Sequence, residues 1–485
     1  MVQAKTHMKN CSLWKIASLV FYNLAALIAP LLICRMRGQP YGELLPGAAP
    51  ACFKAFIILI TIEILGICFI KLRGRKRALP VELISLFTPA LVCFFVLSYL
   101  SLSYQKPYDY LCYENAAASV LEGGNPYGSD KWVYLYPPFT AQLMAGLYHV
   151  VEFLPIGDNV AESGSTGWDA VFYLFQCGQF FAVVWMYFLC RMLLRFASMG
   201  ERYSSILSGL VIICNFPLML TLRNVQVNIW VLDLILFAVM FLARRPVLAG
   251  FALAIGAHIK LYPFALLLPW ILKRRVTAIV SAVVAFAMIV YMQTGFGRHW
   301  TLWKQFAGQG SRLSDFPRGN SIYTGIQSAI NVFAGPLGLS QSKIELTAGI
   351  MSVAVTVALL GWFLIRFIHR ERNFRDFTGG GAGGKTSNTE TFKMISHCID
   401  ALIFGLLASS SVGRHHYLLV VPAILWGFSS CCGDKKMRMA MVGFLILCVP
   451  RLYIFPLRYL PLAAILYMLY ICPFDEICAD RFEKV

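Results

Sequence analysis

Asp109 is the acidic residue best placed to do chemistry. It lies a few residues past the apolar run 81–103 and opens the segment Asp109-Tyr-Leu-Cys-Tyr-Glu-Asn-Ala-Ala-Ala. A carboxylate held there is close to a membrane surface and can act as a general base toward a hydroxyl. Its plain alternative is a loop acid capping a helix N-terminus. Far along the chain stand Lys260, inside an otherwise apolar stretch, and the triplet Arg414-His415-His416. Cations and hydrogen-bond donors of this kind stabilise negative charge, for example on a departing phosphate. An intramembrane lysine costs about 2.5–3.5 kcal/mol on insertion scales, so it needs a reason; the plain alternatives are snorkelling to an interface and, for the triplet, a polar turn.

These residues must be positioned by membrane helices. The chain has 485 residues, 58% of them hydrophobic and only 14% charged, with a mean hydropathy of +0.66. Soluble domains carry about 25% charged residues. The composition therefore excludes an ordinary soluble enzyme, a disordered chain and a fibre. The reading is an all-α polytopic integral membrane protein with about 12 spanning helices of about 20 residues each. Candidate runs are 14–34, 54–71, 81–103, 168–191, 203–222, 227–243, 276–294, 346–368, 397–412, 416–431, 438–455 and 458–473. The fifteen cysteines sit mostly in apolar runs without a CxxC pair and read as small core residues. No metal cluster and no resident cofactor is expected.

The net charge of +18 does not point to nucleic acid, because it is dealt out in bursts: Lys71–Arg77, Arg191–Arg202, Arg244–Arg245, Lys273–Arg275, Arg366–Arg375 and Lys435–Arg438. Such bursts mark cytoplasmic loops. The stretch 247–272 is bounded by basic residues at both ends, so it is expected to form a hairpin of two short helices broken around Lys260–Pro263, which is tolerated where protein or a wet cavity satisfies the freed backbone. Segment 136–154 is taken as juxtamembrane or re-entrant, since a crossing there would carry basic bursts outside; Arg35 and Arg37 still run against the rule. Two long outer loops result, 104–167 and 295–345, and loops of this length are usually functional. Within the first, residues 110–121 read as a surface helix ended by Gly123-Gly124-Asn125-Pro126. The cytoplasmic stretch 369–395 is a glycine-containing linker.

The order and spacing of the motifs carry a resemblance. Asp109, Tyr113, Ala116, Gly123-Gly124-Asn125-Pro126-Tyr127 and Tyr136-Pro137-Pro138 resemble the first loop of glycosyltransferase family 87. Asn224-Val-Gln226-Val-Asn228 resembles that family's Gln-x-Asn helix start. Leu248-Ala-Gly250 with Lys260-Leu-Tyr262-Pro263 resembles its hairpin, Gly319-Asn320-Ser321 its Asn-x-Ser loop, and Arg414-His415-His416 its late His-His pair. Two departures are the missing Gln between Asn320 and Ser321, and an Arg before the His pair where Trp is common. His258-x-Lys260 is also similar to the related glycosylphosphatidylinositol mannosyltransferases.

The resemblance covers roughly 81–473. It implies a GT-C-type transmembrane catalytic domain there, preceded by two additional helices in 1–80 and followed by a cytoplasmic tail, 474–485. It further implies a hexosyltransferase that uses polyprenyl-phosphate mannose and works by an inverting, metal-independent displacement. The acceptor would be a glycan or glycolipid. Under it Asp109 is the base and Lys260, Arg414, His415 and His416 hold the donor phosphate. Tyr113, Asn125, Tyr127, Tyr136, Gln226, Asn228, Tyr262 and Asn320 are substrate-site candidates. The implied location is a bacterial inner membrane with the site facing the periplasm, or the endoplasmic reticulum with a luminal site. Two rivals remain open: a lipid-linked sugar transporter or flippase, for which paired broken repeats are missing, and a polysaccharide polymerase or ligase.

The topology is testable. In a cysteine-depleted background, Glu162→Cys is expected to react with an impermeant reagent added from the outer side. Labelling from the cytoplasmic side would mean that 136–154 crosses the bilayer.

Overall fold

The computed structural model describes residues 79–101, 105–153, 167–309, 319–334, 340–378, 386–409, 412–431, 433–449 and 456–471. The expected helices at 14–34 and 54–71 and the tail 474–485 lie outside the described residues, as do residues 154–166 of the first loop.

All regular structure among the described residues is helical. Helix α1 (Leu79–Ser101) precedes the short α2 (Tyr108–Leu121) and α3 (Pro138–Phe153). Then come α4 (Gly167–Phe196), α5 (Glu201–Ile213), α6 (Phe216–Arg223), α7 (Asn228–Phe241) and α8 (Pro246–Ile259). A 3-10 turn, Tyr262–Leu266, leads into α9 (Leu267–Leu272), α10 (Val276–Gln293) and α11 (Thr301–Ala307). The second half holds α12 (Ile322–Ala334), α13 (Gln341–Thr378), α14 (Thr386–Ala408), the 3-10 segment Arg414–Val420, α15 (Val421–Ser430), α16 (Gly433–Leu447) and α17 (Leu460–Ile471).

Four described helices are long and apolar enough to cross a membrane: Gly167–Phe196, Val276–Gln293, Gln341–Arg372 and Glu390–Ala408. The pair α5–α6 makes a fifth if its 54° bend is counted within one span. Several other apolar runs are present as shorter helices, among them Asn228–Phe241 and Pro246–Ile259. The reason is local. At the α5–α6 bend, Cys214 ends one helix and Asn215 starts the next, its side chain accepting from Leu218 N–H at 2.9 Å with Pro217 just inside. After Ile259, Lys260 leaves the helical region for extended backbone (φ −149°, ψ 140°), and Pro263 follows in the 3-10 turn. The expected break at Lys260–Pro263 is therefore present. Helix α2 covers the expected surface helix and ends where Gly123 takes φ +71°, with Gly124 N–H returning to Ser119 O at 2.7 Å. Segment 136–154 is mostly α3, packed beside α2 and α4.

The hairpin carrying Lys260 is welded to α10 by small residues. Ala249, Ala278 and Ala282 are all fully buried. A Cβ added at Gly250 would lie 2.6 Å from Ala278 O and 2.8 Å from Ala282 N, both backbone atoms. Close approach of this kind replaces hydrophobic driving force between membrane helices, where lipid is as apolar as leucine.

A second anchor is electrostatic. Asp400 on α14 accepts from Arg366 and Arg370 on α13, at 3.2 and 2.8 Å. His397 bridges Arg370 and Glu371, at 2.9 Å to each. Lys273, just after α9, reaches Glu371 and Glu390, each at 2.9 Å. Arg370 is fully buried, a burial that only such pairing permits.

Gly250→Val is expected to push α8 off α10 and to destabilise the protein by about 1–3 kcal/mol, the usual cost of overpacking. Thermal unfolding in detergent or nanodiscs measures it; an unchanged midpoint would show that the seam is soft.

Candidate active site

Three helix breaks and the short helix α2 supply the polar residues. Asp109 sits in the first turn of α2. The turn between α6 and α7 runs through Asn224, Val225 and Gln226. Val225 is buried with φ +53°, a left-handed conformation that a β-branched residue holds only under constraint, at about 1–3 kcal/mol. That turn aims Gln226 and Asn228 toward α2. The break after α8 supplies Lys260, and the 3-10 segment after α14 supplies His416.

Their side chains join into one chain of hydrogen bonds. Gln226 Nε2 donates to Asp109 Oδ2 at 2.6 Å. Asn228 Nδ2 donates to Gln226 Oε1 at 2.8 Å, and Lys260 Nζ donates to Asn228 Oδ1 at 2.6 Å. Lys260 Nζ lies 2.9 Å from His416 Nε2, and His416 Nδ1 accepts from Gly413 N–H at 2.7 Å. Gln226, Asn228 and Lys260 are all buried, so these groups depend on one another for satisfaction.

Aromatic rings enclose the chain. Lys260 Nζ lies 4.9 Å from the centroid of Tyr136. Tyr136 packs edge-on against Tyr113 at 5.1 Å. Tyr262 faces His416 edge-on at 6.5 Å, and its hydroxyl is buried without a hydrogen-bond partner among the described residues. His415 packs on His416, with ring centroids 4.2 Å apart.

Other residues singled out in the sequence are engaged elsewhere. Asn125 is exposed and its Oδ1 accepts from Tyr127 N–H at 2.9 Å, a turn of the Asx kind. Tyr127 is buried and its hydroxyl donates to Tyr136 O at 3.0 Å, stapling the loop. Asn320 accepts from Arg458 Nε at 3.0 Å, while its carbonyl receives Tyr417 OH at 2.9 Å. Arg414 donates to the Ile446 and Val449 carbonyls at the end of α16, and its guanidinium lies 5.6 Å from the Tyr417 ring. All of these hydrogen bonds but the Arg458–Asn320 side-chain pair tie backbone, and none is a link in the chain that ends on Asp109.

Two residues went unremarked in the sequence. Gln179, fully buried in α4, donates to Gln226 O at 2.7 Å and so steadies the strained turn; a glutamine amid apolar residues was the available signal. Arg458 also donates to Gly319 O at 2.6 Å, fixing the Asn320 loop. Glu114, five residues past Asp109, is committed to an ion pair with Lys106 at 2.9 Å; Lys106 also meets Asp169 at 2.8 Å.

Burial pushes the Asp109 carboxyl above the usual aspartate range, and the Gln226 hydrogen bond pulls only part of the way back. The Asn224 side chain also bonds this carboxyl and, with Gln226, favours its charged form.

The model of glycosyltransferase family 87 matches residues 134–382. No curated protein and no solved structure matches the chain.

The raised carboxyl makes a stability prediction. The folded state holds the Asp109 proton more tightly than the unfolded chain, so its contribution is full at low pH and is lost as pH rises through the raised value. Asp109→Asn, which does not titrate, is therefore expected to melt above the wild type at neutral pH, with the difference vanishing on acidification. Melting curves across pH 4–8 check it; a variant less stable at neutral pH would contradict it.

Proposed function

Because the chain belongs to glycosyltransferase family 87, we propose that this membrane glycosyltransferase moves a hexose, mannose, from a polyprenyl-phosphate carrier to a glycan or glycolipid acceptor on the outer face. The fold proposed is of the GT-C type, with about twelve spans once the broken helices are counted. The catalytic domain is 81–473, behind two additional N-terminal helices. The location proposed is an inner membrane with the site facing the periplasm, which the basic bursts support as cytoplasmic loops.

The observation that carries this reading is the attachment of Asp109 to Gln226. A carboxylate in the first turn of a short helix is tied at 2.6 Å to a buried polar turn, which fixes where it can receive a proton from an acceptor hydroxyl. In the proposed inverting displacement, the acceptor oxygen forms a bond to the anomeric carbon. The bond from that carbon to the phosphate oxygen breaks and its electron pair leaves with the phosphate. The acceptor proton passes to Asp109, and no metal is required. Lys260, His415 and His416 line the side toward which the phosphate departs, where hydrogen bonds to developing charge are worth most. Arg414 supports them from its place against α16. Tyr113, Tyr136 and Tyr262 wall the sugar site, and Gln226 and Asn228 hold the base. Asn125, Tyr127 and Asn320 shape the loops around it.

The test is transfer of radiolabelled mannose from polyprenyl phosphate by purified protein in nanodiscs, with a panel of glycan and glycolipid acceptors. Asp109→Asn is expected to cut turnover by about 10²–10⁴-fold, the usual worth of a general base, while Glu114→Gln stays near wild type. If Glu114→Gln lost transfer and Asp109→Asn kept it, the base would be misassigned. Label that stayed on the lipid with every acceptor would favour transport over transfer.

A further inference from the structure

The hydrogen-bond chain from Gly413 to Asp109 has a direction, and the direction fixes where its protons are. A backbone N–H can only donate. Gly413 N–H points at His416 Nδ1 at 2.7 Å, so Nδ1 carries a lone pair. A neutral imidazole with its lone pair on Nδ1 carries its hydrogen on Nε2. That Nε2–H faces Lys260 Nζ at 2.9 Å. Two donors cannot share one bond, so Nζ must present a lone pair there, which an ammonium does not have.

The remainder of the chain agrees. An amine keeps two N–H groups, one of which donates to Asn228 Oδ1 at 2.6 Å. Asn228 Nδ2 then meets Gln226 Oε1 at 2.8 Å, and Gln226 Nε2 meets Asp109 Oδ2 at 2.6 Å. The far end is a carboxylate, which accepts. Turning over either amide would set N–H against N–H or oxygen against oxygen. Running the whole chain backward would set Nδ1–H of His416 against Gly413 N–H. A single proton arrangement satisfies every bond from end to end.

We propose that, before the donor arrives, Lys260 is held as an uncharged amine, and that His416, locked by Gly413 N–H into its Nε2–H form, is the positioning residue that holds it so. This deepens the reading above and rests on it only in calling the site a donor site. The groups against Nζ are Asn228 from α7, His416 from the 3-10 segment and the Tyr136 ring from the loop before α3, while His415 and Tyr262 pack on His416. Asp109 lies two amides away. The resting relay thus carries one charge, the Asp109 carboxylate, at its accepting end. An anionic phosphate entering beside Lys260 finds a lone pair able to take up a proton from water, so binding of the donor is coupled to proton uptake at a site that was neutral.

The experiment uses the full chain in nanodiscs, without donor, labelled with ¹⁵N in lysine side chains and in histidine rings. Lys260 and His416 signals are assigned by their disappearance in Lys260→Gln and His416→Gln. The expected result is a Lys260 nitrogen in the neutral-amine range at pH 7, moving to the ammonium range on addition of a polyprenyl phosphate, and a His416 ring with hydrogen on Nε2 only. An ammonium signal in the donor-free protein, or hydrogen on Nδ1 of His416, overturns the proposal. Stability supplies a second measure. Glutamine can both accept from His416 and donate to Asn228, so Lys260→Gln should melt closer to the wild type than Lys260→Met, which can do neither; the opposite order also overturns it. Neither readout needs turnover. A protein that shows these signals but transfers no mannose would refute the proposed function and leave this proton arrangement standing.

Discussion

Peptide groups in a hydrocarbon layer must bond to something, and this molecule is organised around that demand. A continuous helix meets it internally and offers no chemistry. Apart from Asp109, in the first turn of α2, the residues of the polar chain sit where a helix is interrupted: Gln226 and Asn228 after α6, Lys260 after α8, His416 after α14. Each stop frees backbone and side-chain groups that water cannot reach. They are satisfied by one another, in a single file of bonds that reaches from Gly413 to Asp109. The contacts that stabilise this region are therefore the same ones to which the proposed chemistry is assigned. Removing one member leaves a buried polar neighbour unpaired, at about 1–3 kcal/mol, and also disturbs the support of Asp109.

The breaks have individual causes. Asn215 with Pro217 restarts a helix after a 54° bend. Val225 accepts a left-handed backbone, with Gln179 bonded to the neighbouring carbonyl of Gln226. Lys260 takes extended backbone ahead of Tyr262-Pro263. Continuous α4, α10, α13 and α14 run alongside, and the glycine–alanine seam between α8 and α10 keeps the interrupted segment from drifting.

Much of this was legible in the sequence because it is written in residue type. Composition announced membrane helices, and the paired basic ends of 247–272 with Pro263 announced a hairpin. The polar residues Asp109, Gln226, Asn228, Lys260 and His416 stood out against apolar surroundings. Their meeting was not legible. Asp109 and Gln226 are 117 residues apart, and Lys260 and His416 are 156 apart, and no local pattern encodes such a contact. Asn125, Asn320 and Arg414 show the converse difficulty: the side chains that suit a ligand also suit a turn or a carbonyl, and spacing alone does not separate the uses. Helix lengths were hard for a related reason, since a run of apolar residues does not reveal where the backbone changes direction.

The ion-pair cluster of Lys273, Glu371, Glu390, His397, Arg370, Asp400 and Arg366 has a mechanical meaning. It fastens the foot of the Lys260 hairpin to α13 and α14, and α14 continues toward the segment that holds His416. From Glu390 to Ala408 that helix rises about 27 Å at 1.5 Å per residue. Lys260 thus stands at the tip of one arm and α14 forms the other, the two clamped at a distant pivot as in a pair of calipers. Small rotations at such a pivot open a gap at the tips in proportion to arm length, so about 2° of tilt over such a rise moves a tip by about 1 Å, enough to part a hydrogen bond. The tolerance of the polar chain is set by charges that are not part of it.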